Sequence, residues 1–246
     1  MKHVSVREFE NNPSMIWDYD VMMHGTWDAN EWNAINDNGV NEIARYIDAG
    51  KGVLTGHDTI GYKMGKAYGI GKLSEKFNIL LGRWPGMTNP AGTEVTSNKA
   101  WGYASNKVKI TKKGFLTQFP WNLGQVGTVL NIPTAHTTSN AAKGNTWMEF
   151  VDGGYLSDGI NFMTENETRS LIPNDANHKY YLTTWNNTAM IQTGHSSGQS
   201  TEDERKVLAN TLFYLKQLTK KTEVLDNSAR DIADPNKVSR ISNSNK

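Results

Sequence analysis

The stretch Gly52-Val-Leu-Thr-Gly-His57-Asp58-Thr59-Ile60-Gly61 constrains this chain more than any other. Val53 and Leu54 form a short apolar run. Gly56 permits a tight turn that a side chain would crowd, and Thr59 can cap a helix that follows. The stretch therefore predicts a buried strand, a sharp turn and a helix start. In open α/β sheets, ligands bind at the carboxyl ends of strands, which places His57 and Asp58 at such a rim. Two later stretches repeat an apolar strand that ends in His, Val129-Leu-Asn-Ile-Pro-Thr-Ala-His136-Thr137-Thr138 and Ala189-Met-Ile-Gln-Thr-Gly-His195-Ser196-Ser197-Gly198. The chain has six His, and three of them end strands beside Ser, Thr or Asp. That pattern locates a site before it names a reaction.

Composition narrows the function classes. The formal net charge of +1 provides no field to recruit nucleic acid or an anionic membrane. No apolar run approaches the roughly 20 residues of a membrane helix. The chain has no Cys, so a Cys nucleophile, disulfides and thiolate metal sites are excluded. A Cys-free chain suits the cytosol and equally an exported protein without disulfides. Met1-Lys-His-Val-Ser-Val has no apolar h-region, so no signal peptide is expected in this chain. There are eight Trp, several in Gly-, Asn- or Pro-rich stretches. Such aromatics either stack on sugars or pack over the edge of a core.

With 246 residues the chain can form one large α/β domain or two small ones. Val4–Phe9 alternates like a strand, and Tyr19–Gly25 reads as the next strand. Asp37 or Asn38 can cap a helix that buries Val40, Ile43 and Ile47 and closes at Gly50. With the strand at Val53 this makes a strand–helix–strand unit of parallel type. Tyr62–Gly71 is read as beginning helical, and Leu73, Phe77, Leu80 and Leu81 follow the spacing of an amphipathic helix. Met87–Ser105 reads as a long surface loop with a short strand near Thr93–Thr96. Short strands are expected at Val108–Ile110 and Val126–Ile132, and Trp147–Val151 alternates as a half-buried strand. Tyr180–Trp185 and Thr188–Thr193 flank Asn186-Asn187 as a two-residue hairpin. Thr201-Glu-Asp-Glu204 fits a capping box ahead of a stripe of Val207, Leu208, Thr211, Leu212, Leu215 and Leu218. Residues 220–246 read as a polar linker or tail.

The order of these parts resembles the class I glutamine amidotransferase-like fold, closest to its ThuA-like branch. The resemblance rests on Tyr19-Asp-Val-Met-Met-His-Gly, the Ile43 helix, Gly52-Val-Leu-Thr-Gly-His57 and the late Thr-Gly-His195-Ser with its C-terminal helix. Thr183-Thr-Trp-Asn-Asn-Thr-Ala-Met-Ile-Gln-Thr-Gly-His195 and Asn210-Thr-Leu-Phe-Tyr-Leu215 resemble the bacterial domain family DUF5057, found in multidomain surface proteins. The resemblance covers about residues 4–219. It implies a mostly parallel, doubly wound sheet flanked by helices, flavodoxin-like, with an added β-hairpin region. The domain would span residues 1–219, and neighbouring domains in a longer, extracellular or cell-surface parent are implied. Val4–Phe9 resembles the family's second strand, so a first strand–helix unit is expected upstream. Amidotransferases place a Cys at the elbow that corresponds here to Gly56-His57-Asp58, and glutamine hydrolysis through a thioester is therefore excluded. His195 falls where the family's catalytic His stands, but Ser197 replaces the acid two positions on.

Three kinds of chemistry fit the residues. His57, His136 and His195, with Asp58, supply N and O donors that suit a divalent metal such as zinc. Alternatively, Asp58 orients His57 or His195 while Ser196, Thr59 or Thr137 serves as nucleophile, an arrangement recognised by geometry rather than order. Third, the cluster binds a small polar ligand or saccharide without turnover, with Trp27, Trp84, Trp101, Trp121 or Trp185 stacking on it. Each residue also has a purely structural role open to it. His57 or Asp58 can serve a helix N-terminus, His136 can shape its loop, and Glu202 and Glu204 read as cap residues. The expectation carried forward is a ligand-binding domain without amidotransferase activity, with a metal-assisted or Ser/His hydrolase as the alternative.

Overall fold

The computed structural model describes residues 1–25, 34–57, 59–60, 62–63, 66–81, 102–137, 140–143, 145–156, 174–193 and 199–219. For Tyr62, Lys63, Lys66 and Leu156 it describes the backbone alone. The chain opens with a short helix α1 (Val6–Asn11) and a 3-10 turn (Pro13–Asp18). The expected strand at Val4–Phe9 is thus a helix. Ser5 and Glu8 form a capping box: Ser5 Oγ accepts from the Glu8 N–H at 3.2 Å, and the Ser5 N–H donates to Glu8 Oε2 at 2.7 Å. That reciprocal pair satisfies two end donors of the helix and outweighs a weak alternating pattern.

The strand–helix–strand unit forms as expected: β1 (Val21–His24), α2 (Asp37–Asp48) and β2 (Gly52–Thr55). Asn36, one residue before the expected cap, accepts from the Gly39 N–H at 2.9 Å. Val40, Ile43 and Ile47 are buried. β2 is followed by bends and a small hairpin, β3 (Tyr62–Lys63) and β4 (Lys66–Ala67), and not by the expected helix. The expected helix through Leu81 is a 3-10 helix (Gly69–Phe77) that ends at Asn78 in left-handed backbone and gives way to β5 (Ile79–Leu81). Leu73 and Phe77 are buried, but Leu80 and Leu81 belong to a strand paired with β8 (Asn140–Ala142).

Strand β6 (Gly102–Ile110) is longer than the expected Val108–Ile110 and takes in the end of the supposed loop. A one-turn helix α3 (Phe115–Gln118) precedes β7 (Val129–His136), so His136 lies inside the strand rather than beyond it. β9 (Thr146–Phe150) is buried along its whole length, where half-burial was expected. β10 (Gly154–Leu156) follows. The hairpin β11 (Tyr180–Trp185) and β12 (Thr188–Ile191) turns at Asn186, whose φ of 48° suits a two-residue turn. The last helix is α4 (Glu202–Thr219). The short strand expected near Thr93–Thr96 and the tail 220–246 lie outside the described residues.

The main sheet has eight strands in the order β1-β2-β12-β11-β9-β6-β10, with β7 along the other side of β6. Among the described residues, only the β1–β2 and β2–β12 pairings of this sheet are parallel, and the others are antiparallel. The molecule is α/β, with a curled mixed sheet flanked by helices. The mostly parallel sheet of the sequence expectation is corrected: β6, β7, β9, β10 and β11 run as antiparallel neighbours. The sheet curls around α4, which packs on β2 and β1 near one edge and on β7 at the other.

Two apolar clusters fill the two faces. Leu54, Ala189 and Ile191 join α4, α3 and β7 residues on one side. Val53 and Met190 join α1, α2 and the 3-10 segments on the other. Alternate residues of β2 and β12 therefore bury into opposite layers, which is why these strands read as continuous apolar runs.

Candidate functional site

The register of the parallel strands sets the rim. His24 pairs with Thr55, which pairs in turn with Met190, so β1, β2 and β12 end together. The chain leaves β2 through Gly56 and His57, and both residues stay tied to the neighbouring strands. The Gly56 N–H donates to His24 O at 2.9 Å, and the His57 N–H donates to Thr193 O at 3.1 Å. Thr59 Oγ1 closes the turn by donating to Gly56 O at 2.6 Å. Asn140 fastens the far end, its Nδ2 donating to Ile60 O at 2.7 Å while its Oδ1 accepts from Tyr180 Oη at 2.7 Å. His57 is fully buried. These bonds fix the backbone of the loop that carries the His57 ring.

The curl of the sheet brings β7 to this rim. The rings of His57 and His136 stand edge to face, centroids 4.5 Å apart at 89°. His136 Nδ1 lies 2.9 Å from Thr137 O. A carbonyl can only accept, so Nδ1 carries the proton there and Nε2 is the basic nitrogen. Thr137 is itself pinned: its N–H donates to Tyr103 O at 3.0 Å, and its Oγ1 accepts from the Tyr103 N–H at 2.9 Å. The neighbouring Gly102 has a φ of 147°, and a Cβ there would lie 2.1 Å from Thr137 Oγ1. Glycine is required for that approach.

His57 Nδ1 lies 3.3 Å from Oε1 of Gln192, the residue that follows β12. Gln192 is fully buried, and its Nε2 has no hydrogen-bond partner among the described residues. One residue on, Thr193 Oγ1 donates to Glu204 Oε1 at 2.5 Å, and Tyr181 Oη donates to the same oxygen at 3.2 Å. Glu204 is 2% exposed, and burial pushes its carboxyl above the usual range, against the hydrogen bonds from Thr193 and Tyr181. Burial, followed by the nearby Glu204, pushes the Tyr181 phenol well up. On the other side of β2, burial pushes the His24 imidazole down to about 4. Both His24 and Glu204 are moved toward their neutral forms.

Of the residues expected at the site, the structure brings together His57, His136, Thr59 and Thr137. The two threonines bond backbone groups that hold the histidine loops. Asp58, His195, Ser196, Trp27, Trp84 and Trp101 lie outside the described residues. Trp185 sits at the opposite end of the sheet: it pairs with Thr188, and β12 runs from Thr188 toward the rim. At about 3.3 Å per residue, that is on the order of 13 Å from Gln192. Trp121 is half-exposed against α4, its N–H donating to Asn210 Oδ1 at 2.9 Å and its ring 5.9 Å from Lys206 Nζ. Trp185 is thus far from the histidines along the strand, and Trp121 packs on α4.

Glu204 also departs from expectation. Thr201 Oγ1 does accept from the Glu204 N–H at 3.1 Å, half of a capping box. The carboxyl, however, turns inward to Thr193 and Tyr181. Sequence reasoning missed Gln192, Thr193, Asn140 and Glu204. The signal for Gln192 was present, a lone amide closing the apolar run Ala189-Met-Ile. Nothing local marked Asn140.

Among the described residues, no group of three or more His, Asp or Glu is placed to hold a metal ion. His57 and His136 would provide two imidazole donors, and the third expected donor, His195, is outside the described residues. No helix among those residues is long and apolar enough to cross a membrane. Compared with protein-family models, with curated proteins and with solved structures, the chain matches none.

Proposed function

We propose that the carboxyl-end rim of β1, β2 and β12 is the binding pocket for a small polar ligand, in a domain without amidotransferase activity. The observation that carries this reading is the edge-to-face pair of His57 and His136. Two imidazoles from distant strands meet beside a buried amide, His57 against Gln192 Oε1 and His136 against the Thr137 carbonyl. Preorganised polar groups at the mouth of parallel strands are what ligand sites in α/β proteins use. The parallel trio β1-β2-β12 with α2 and α4 on opposite faces is also the part that supports kinship with the glutamine amidotransferase-like, ThuA-like fold. A saccharide as ligand, and a place in a bacterial surface protein, rest on the resemblance to DUF5057.

The test uses His57→Ala and His136→Ala in the full chain, with circular dichroism and thermal melting to confirm folding. Ligand-observed NMR against a monosaccharide library should show binding to the wild type and its loss in either variant. Binding unchanged in both variants would remove the pocket from this rim.

One observation favours hydrolysis as a second reading. The Thr137 carbonyl sets the His136 tautomer so that Nε2 is basic, which suits a general base. That reading predicts ester turnover that disappears in His136→Ala. It predicts further that metal analysis of the purified chain will show whether zinc accompanies the activity. Equal turnover by His136→Ala would exclude it.

A further inference from the structure

The buried Gln192 carboxamide lies beside the His57 ring at the strand ends, and one of its hydrogen-bonding groups finds no partner among the described residues. Its backbone is fixed, with the N–H donating to Tyr181 O at 2.8 Å. Its side chain is fully buried, Oε1 faces His57 Nδ1 at 3.3 Å, and Nε2 has no partner among the described residues. A buried amide donor left without an acceptor carries the full cost of its desolvation. Such a group at the junction of two strands and a histidine pair is one that a bound molecule would satisfy.

Building on the pocket reading above, we propose that Gln192 reads a hydroxyl group of a neutral polyhydroxylated ligand, of the saccharide class. The ligand class follows from hydrogen-bond valence. With the amide as placed, Nε2 donates and needs an acceptor. With the amide turned over, Nε2 donates to His57 Nδ1 and Oε1 needs a donor. A hydroxyl supplies either partner, whereas a carboxylate or a fully ionised phosphate only accepts. The surroundings agree. His24 and Glu204 flank this end of the sheet, and burial favours the neutral form of each. A desolvated site that disfavours charge in its own groups penalises an ionic ligand in the same way. Buried water is the competing occupant, since it too donates and accepts.

The experiment is a titration of the full chain with D-glucose and N-acetyl-D-glucosamine, and in parallel with sulfate and acetate, followed by amide NMR. Wild type is compared with Gln192→Met, which keeps the length and removes the polarity. The expected result is a shift of the Gln192 side-chain NH2 pair on sugar addition, with sugar affinity weaker by about tenfold in Gln192→Met, the value of roughly one hydrogen bond. Equal sugar affinity in both proteins overturns the role of Gln192 and leaves the pocket standing. If Gln192→Met is also more stable than wild type, the amide held only water. Binding of the anions but not the sugars overturns the ligand class. No binding of any probe to the wild type overturns both this inference and the pocket.

Discussion

Single residues at the rim tie stability to pH in opposite senses. The folded pKa of His24 is about 4 against an ordinary 6.5, so the unfolded chain binds the extra proton between those values. The stability His24 contributes is present above about pH 6.5 and is lost as pH falls toward 4. Glu204 is the reverse. Its folded pKa is raised from 4.5 by burial, so its contribution is full below that ordinary value and is lost as pH rises through the folded one. Two measurements follow. An NMR titration should find the His24 ring neutral down to about pH 4, and a midpoint near 6.5 would show the ring to be solvated. Thermal melts of Glu204→Gln against wild type should show the variant gaining relative stability as pH rises from 4 to 8. A flat difference across that range would mean the carboxylate is not desolvated. Little of this was readable in the chain. Glu204 occupies the N3 position of a capping box, so local reasoning assigned it to the helix end. Tertiary contact with Tyr181 and Thr193 turned it inward instead.

Elements were legible where local rules agree with one another. The α2 stripe, the Asn186-Asn187 hairpin and the Thr201 cap each carry a self-sufficient signal within a few residues. The Ser5–Glu8 capping box was equally local, and reading Val4–Phe9 as alternating missed it. We expect Ser5→Ala to lower the unfolding free energy by about 1 kcal/mol in urea titration. No change would mean that α1 is held by Phe9 packing alone. The loop after β2 was misread for the opposite reason. Thr59 can cap a helix, but here its hydroxyl donates back to Gly56 O, and Asn140 from a distant strand holds Ile60 O. Asn140→Ala removes that anchor and leaves the Ile60 carbonyl and the Tyr180 hydroxyl, both buried, without this partner. It should cost about 1–3 kcal/mol and shift the His57 and His136 ring resonances. Unmoved rings would show that the loop positions His57 without Asn140.

The whole molecule is organised by a parallel trio sealed between two apolar layers, with an antiparallel region curled around α4. Strands buried on both faces exchange amide protons only on global opening, while edges open locally. Native-state hydrogen exchange should therefore find Leu54, Ala189 and Met190 among the slowest amides, with edge strand β10 far faster. Uniform protection across the sheet would argue against a parallel core distinct from its antiparallel extension. The same curl explains the site. His57 and His136 lie far apart in the chain, and on a flat sheet they would belong to strands near opposite edges. They touch because α4 packs on both β2 and β7.

The chain by itself determined the apolar runs at Val53 and Ala189, the helix faces, the hairpin turn and the placing of His57 at a strand end, because each depends on neighbours within a few residues. It also excluded thiol chemistry, since there is no Cys. The direction of most strand pairings, the closure of β7 onto the rim, the inward turn of Glu204 and the burial of the Gln192 amide beside His57 were decided only by the tertiary structure. Each depends on contacts between segments distant in sequence, where burial and hydrogen-bond satisfaction across the sheet outweigh local preference.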